Sequence, residues 1–428
     1  MIQRIFLLVL FILLPLAISP VMAKHFTFKQ IHSMPKSTEK DYYIWRFLQQ
    51  RGTTAYEAKA IIKEVNFLNR KLKTAYRTKT GSFSGLYQAF AHRSNNVQKQ
   101  KNRTQGSLNF KKGISMVQKH RLKLAAQYFT AAYYTYKKRQ EKDKALFWLY
   151  LVTKKNHYLT KLIQSCHVNI YTFLAADIRK KKYPNAIVVP KVSRRRIQGV
   201  DIKDPIIWAK IKQKLFLGNS DINKLAEDYK SEETIGIHTY IKTHVHNFTK
   251  SYFPMPYRNL MRQYPIERQA LIYAIARQES RFIPASVSHS FALGLMQFMP
   301  FLIDHIARQK GEKLDYDDIF DPYKAIEYAN IHLDYLTKYL YHPLFIAYAY
   351  NGGIGFTKHL IRQKRNFRPG SFEPYLSMEK VKNTETGEYG KHVLTNYIVY
   401  MNLLGKPIRL LPFIETLTDP SMTDCFRK

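Results

Sequence analysis

One carboxylate on the apolar face of a helix is where this chain can do chemistry. In LIYAIARQESRFIP, residues 271–284, Leu271, Ile275 and Glu279 are spaced by four. In a helix these residues stack on one face. Leu271 and Ile275 are core-type residues, which turns Glu279 inward, while Arg277 and Arg281 point elsewhere. Pro284 follows shortly, so Glu279 falls near the C-terminal end of the helix, where the helix's partial negative charge opposes ionisation. Apolar surroundings act in the same direction. A carboxylic acid kept protonated near neutral pH can give its proton to a departing oxygen. The plainer reading of the same pattern is a half-buried helix-end residue paired with an Arg or a Lys.

Other chemistries have less to stand on. Two cysteines, Cys166 and Cys425, in 428 residues make no disulfide framework, and whether they pair is open. Cys166 sits in an apolar helical pattern and reads as a small core residue. The fifteen histidines are scattered, and neither a His-Glu-x-x-His spacing nor a Gly-rich phosphate loop occurs. No metal and no cofactor are therefore expected.

Glu279-Ser280 is followed by Gly294-Leu295-Met296-Gln297 and, much later, by Ala349-Tyr350-Asn351. This ordered set resembles the lytic transglycosylases related to goose-type lysozyme, above all the soluble ones of the bacterial periplasm, over roughly residues 262–404. The resemblance implies a lysozyme-like helical catalytic domain and peptidoglycan glycan strands as substrate. It makes Glu279 the catalytic residue. It places Ser280 near the cleaved sugar and lines the substrate with Gln297 and Met299. Tyr350 then packs on or hydrogen-bonds the sugar next to the cleaved bond, with Asn351 beside it at a helix end. From the residues themselves, Gly294 lets the backbone pass close to substrate or a neighbouring helix, and Gln297 offers both a donor and an acceptor. A further landmark of the family is a Glu, then Glu-Thr six residues on, then a Tyr. It matches Glu379, Glu385-Thr386 and Tyr389. By resemblance Glu379 helps line the groove and the Tyr389 hydroxyl contacts the acid. Gly387 stands where the family usually has Arg, which puts one local charge contact in doubt.

Ordinary glycosidases use two carboxylates. Asp315, Asp317, Asp318 and Asp321 fall in a loop and a helix cap, which leaves only Glu379 for the groove. The resemblance supplies a chemistry that needs one. The 6-hydroxyl of N-acetylmuramic acid attacks its own C1 while Glu279 protonates the departing oxygen, and Glu279 then takes the hydroxyl's proton. The product is a 1,6-anhydromuramoyl end, and no water is consumed. Two rivals stand beside it: a lysozyme-type muramidase that uses water, and a non-catalytic cell-wall-binding scaffold.

The elements that must position these residues are helical. The expected fold class is all-α, an N-terminal superhelix of stacked helix hairpins followed by the lysozyme-like catalytic domain. Arg4, the apolar run Ile5–Leu14 and the small residues before Lys24 read as a cleaved signal peptide over 1–23, and hence a periplasmic protein. Residues 24–250 form the superhelical part, as an open arc or a ring, with loops near 93–113 and 180–205. Residues 251–428 form the catalytic domain. Thr54 is placed to cap a helix, and Pro300, Pro322 and Pro343 sit at first-turn positions. The net charge of +38 in a cytosolic protein suggests nucleic acid. Export removes that partner and leaves a weak, salt-sensitive attraction to anionic wall or membrane surface. A monomer is expected.

Overall fold

The computed structural model describes residues 24–84, 86, 105–194, 197–217, 221–246 and 248–427. The proposed signal peptide and residues 93–104 of the first loop lie outside these. Among the described residues the only strands are Ile187–Val188 and Ser251–Tyr252, paired in parallel. The rest of the regular structure is helical, and the fold is all-α.

Local chemistry opens the helices. The Thr54 side chain accepts from the Glu57 amide while the Glu57 carboxylate reaches back to Thr54, a capping box at the start of Ala55–Ile61. Asp321 accepts from the Tyr323 amide, and Pro322 supplies the first turn of Pro322–Thr337. Pro300 and Pro343 do the same for Pro300–Lys310 and Pro343–Gly352. Gly353, at φ 87, ends the last of these. Ala325, Ile326, Ala329, Leu333 and Leu336 are the buried stripe of Pro322–Thr337, as their spacing requires.

Two sequence expectations change. Residues 105–113 are not loop but the first part of the helix Gln105–Gln118. Its glycines let it close onto its neighbours: a Cβ at Gly106 would come within 2.7 Å of the Tyr136 ring, and one at Gly113 within 2.5 Å of Phe129. Cys166 is exposed rather than core, because the helix His157–Gln164 has already ended and Cys166 takes a left-handed turn at φ 54. Both cysteines are free. The connection after residue 180 remains largely irregular, as expected, and is tied down by the Ile187–Val188 pairing and a bridge between Ser193 and Ser231.

Gln105–Gln118, Leu122–Thr135 and Arg139–Thr153 pack in succession as hairpins. One apolar core runs from Phe26 to Leu417 and crosses residue 250 without a break. Within it Phe147 meets Tyr375 at 5.2 Å and Trp45 meets Phe291 at 5.5 Å. A second, smaller core gathers Trp208, Leu215, Ile237 and Ile241 with Ile283 and Ala285.

Candidate active site

The helix Ile266–Glu279 carries a continuous buried run from Ala270 to Ala276, and Glu279 is its last residue. Its unpaired carbonyls lie at that end. The Glu279 side chain keeps part of its surface open to solvent but is otherwise crowded by protein. The Tyr389 hydroxyl donates to Glu279 Oε1 at 2.6 Å. Burial raises the Glu279 carboxyl to about 7; the Tyr389 hydrogen bond pulls against this, and the Glu385 charge adds to it. No cation is among the groups that shift it, so among the described residues the reading of Glu279 as one half of an ion pair finds no partner.

Arg277, two residues earlier, is engaged elsewhere. Its guanidinium lies 3.8 Å from the centre of the Phe253 ring and donates to Tyr252 O and Asn396 Oδ1. Burial lowers it to about 10. Tyr350 comes close enough to Glu279 for that carboxylate's charge, after burial, to raise the phenol further. The Tyr350 hydroxyl donates to Met296 O at 3.0 Å, and its ring lies 5.4 Å from His332. Burial lowers His332 to about 4, so it is neutral. Glu279, Tyr350 and Tyr389 thus meet, delivered by three helices: Ile266–Glu279, Pro343–Gly352 and Thr384–Leu403.

The loop residues serve the backbone more than the sequence suggests. Ser280 Oγ donates to Leu295 O at 2.7 Å and accepts from the Ile283 amide, so its hydroxyl ties the helix end to the loop. Gln297 Nε2 donates to Ser286 O and Gly294 O, which leaves its oxygen as the group on offer. Gly294 has φ +77, and a Cβ there would sit 2.6 Å from Ile319 O; the close neighbour is that backbone. Met299 is half-buried at the N-cap of Pro300–Lys310. Asn351 Oδ1 accepts from Thr386 Oγ1 at 2.7 Å, which joins two of the three helices.

Glu379 is held in a bonding network of its own. Its Oε1 accepts from Tyr171 OH at 2.8 Å and from Lys391 Nζ at 2.9 Å, and both charges of the pair are nearly inaccessible, at 7% and 3% exposure. Its partners come from the N-terminal helices and from Thr384–Leu403, so it holds these elements together while lining a cavity of about 630 Å³ between them. Glu385 is the acidic residue to which the sequence landmark gave no role and whose charge acts on Glu279. It lies four residues before Tyr389 on one helix, and that spacing puts both on one face. Two cavities, of about 1260 and 630 Å³, are not lined by Glu279. Proton affinity and converging side chains mark this site, not volume. Among the described residues no three His, Cys, Asp or Glu cluster as metal ligands do.

Residues 258–371 match the family model "Transglycosylase SLT domain". The chain is 28% identical over 166 residues to the soluble lytic murein transglycosylase of Salmonella typhimurium, covering 37% of this chain and 25% of that protein. It is 28% identical over 170 residues to the protein of the same name from Escherichia coli K12, covering 38% and 26%. The matched part is therefore about a quarter of the length of those relatives. Among solved structures, the 70-kDa soluble lytic transglycosylase in complex with bulgecin A shares the fold, with a TM-score of 0.50 at 18% identity over 90% of this chain and 66% of that one. Residues 258–371 are thus similar to a transglycosylase SLT domain, set in an all-α chain that is similar over this part to the soluble lytic murein transglycosylases.

Proposed function

We propose that this protein is a peptidoglycan lytic transglycosylase that cuts the β-1,4 bond between N-acetylmuramic acid and N-acetylglucosamine and leaves 1,6-anhydromuramoyl ends. The observation that carries this is the Glu279 carboxyl, raised to about 7 by burial, bonded to Tyr389 and shifted by no cation among the described residues. Such a group is protonated often enough near neutrality to give a proton to the glycosidic oxygen, and basic enough afterwards to take one back. The second proton comes from the sugar's own 6-hydroxyl, whose oxygen closes on C1 as the bond to the leaving sugar breaks. Tyr389 holds the carboxyl in orientation, and Tyr350, Gln297 and Met299 border the space in front of it. Glu379 is not assigned the part of a facing base, because Lys391 and Tyr171 both engage its Oε1.

Glu279→Gln is expected to lower cleavage of purified peptidoglycan on the order of 10²–10⁴-fold. A near wild-type rate would refute the assignment. One observation favours the water-using alternative: Glu385 is an exposed carboxylate near enough to raise Glu279, and a second carboxylate is what water activation needs. Mass spectrometry separates the two, since anhydro ends are one water lighter than reducing ends.

The setting follows from the same reading. Export to the periplasm rests on the signal-like residues 1–23. Lys24 supports it from the other side: its backbone nitrogen lies 3.0 Å from Asp315 Oδ2, so an ammonium released by cleavage after Ala23 would face a carboxylate. N-terminal sequencing of the exported protein should begin at Lys24. With a charge of +38, binding to isolated cell-wall sacculi should weaken as salt rises.

A further inference from the structure

The segment that follows Glu279 belongs to a core other than its own. Pro205–Phe216, Ile222–Asp228 and Ile235–Val245 build the smaller cluster around Trp208, Leu215 and Ile241, and Ile283 and Ala285 close it. Between Glu279 and that plug lies a turn of unusual backbone. Arg281 and Phe282 have φ of 55° and 64°, two consecutive side-chain-bearing residues in the left-handed region. Such a turn persists only where its surroundings over-determine it.

Those surroundings come largely from one helix. A Cβ at Gly236, in the first turn of Ile235–Val245, would meet Phe282 O at 2.1 Å and Arg281 O at 3.0 Å. The helix backbone therefore rests directly on the backbone of the turn. Farther along, the Arg281 guanidinium lies 5.8 Å from the centre of the Tyr240 ring and 5.9 Å from that of Phe248. From the opposite side Phe282 is buried against Tyr273 and Tyr400. The turn is gripped by its carbonyls, by one side chain outward and by the next one inward.

We propose that the Ile235–Val245 helix is a positioning element for the Glu279 carboxyl, with Gly236 and Tyr240 as its positioning residues. They fix the left-handed turn, the turn fixes the last residue of Ile266–Glu279, and Glu279 thereby meets Tyr389. This rests on the reading of Glu279 as the acid. The obstacle to a methyl group at position 236 is a backbone carbonyl, which no side-chain rotation can clear, so the turn or the helix must move. A shift of about 1 Å at a reacting group costs on the order of 10²-fold in rate.

The test is the pH dependence of kcat for the whole exported chain on soluble peptidoglycan strands, with melting temperature recorded alongside. In Gly236→Ala, kcat should fall on the order of 10- to 100-fold with KM little changed. The limb set by Glu279 should move down from about 7, because a displaced carboxyl regains water. Tyr240→Leu, which removes the ring under Arg281 and keeps an apolar side chain, should shift the limb the same way by less. Ile211→Val trims the same core away from the turn; it should lower the melting temperature and leave the limb in place. An unmoved limb in a folded Gly236→Ala or in Tyr240→Leu overturns the proposal. If Gly236→Ala does not fold, Tyr240→Leu alone decides. Cleavage that survives Glu279→Gln would overturn the acid assignment instead, on a different variant.

Discussion

Two neighbours act on the Glu279 proton in opposite directions, and each can be removed singly. Tyr389→Phe deletes the hydrogen bond that favours the carboxylate, so the pH at which kcat falls off should rise. Glu385→Gln deletes a negative charge that favours the acid, so the same limb should move to lower pH, and less so in high salt. Paired pH–rate profiles check both signs at once. The raised carboxyl also costs stability. An unfolded glutamate titrates near 4.3 and the folded one at about 7. Between those values the folded chain holds more protons than the unfolded one, so stability falls as pH rises. The full cost is present above about 7. Discounted for the open part of the side chain, it is about 1–3 kcal/mol. Glu279→Gln should therefore be more stable than the natural protein at pH 8, with the gain absent at pH 4, in urea titrations at the two pH values.

Among the elements, Thr384–Leu403 carries the largest share of the site, and one lysine on its far side decides how firmly it is held. Lys391 is buried between Glu379 and Glu388, within 2.9 and 3.1 Å of them, and Tyr171 from the N-terminal helices bonds to both Lys391 and Glu379. Burial alone would raise the Glu388 carboxyl, but Lys391 and Lys144 bring it down to about 2. Lys391→Met leaves the Glu379 carboxylate buried without its cation, which should cost about 3–5 kcal/mol near neutral pH. Without Lys391 the Glu388 carboxyl also takes a proton more readily in the folded state, although Lys144 still faces it. The loss should accordingly shrink at pH 4, as denaturant titration would reveal. The same helix shows where reading a sequence stops. Starts and stops such as Asp321-Pro322, Pro343 and Gly353 were legible because first-turn and cap chemistry is local. Glu279 was legible because its apolar face and its helix end lie within one short segment. Glu379 was not: its partners are Lys391 and a tyrosine more than 200 residues away, and spacing says nothing of them. Ser280 and Gln297 showed the right donors and acceptors but not that loop carbonyls take them up. Gly106 and Gly113 read as loop glycines because Tyr136 and Phe129, which need the room, come from other helices.

At the scale of the molecule, the division near residue 250 is a boundary in sequence that the packing does not respect. Phe147 and Trp148 from the N-terminal helices meet the C-terminal part, the first edge to face with Tyr375 and the second stacked on Phe372. Tyr42 and Trp45 lie against Phe291, beside the loop that holds Gly294 and Gln297. Ile283 and Ala285 complete a core that otherwise belongs to residues 205–245. The Lys391 network borrows Tyr171 across the same line. A fragment of residues 251–428 would expose each of these faces as one apolar surface, with the Arg281–Phe282 turn released from Gly236 and Tyr240. Exposed patches of that kind drive association. The fragment should therefore bind a hydrophobic dye, elute as aggregates in size-exclusion chromatography and melt without a cooperative transition, whereas the chain from Lys24 onward should melt cooperatively. A monodisperse, cooperatively melting fragment with full cleavage activity would mean that the N-terminal helices serve something other than the shape of the site. The expected outcome would make them part of how Glu279 is held, since the carboxyl's position depends on a turn they grip and its helix neighbour Tyr389 depends on an ion pair they share.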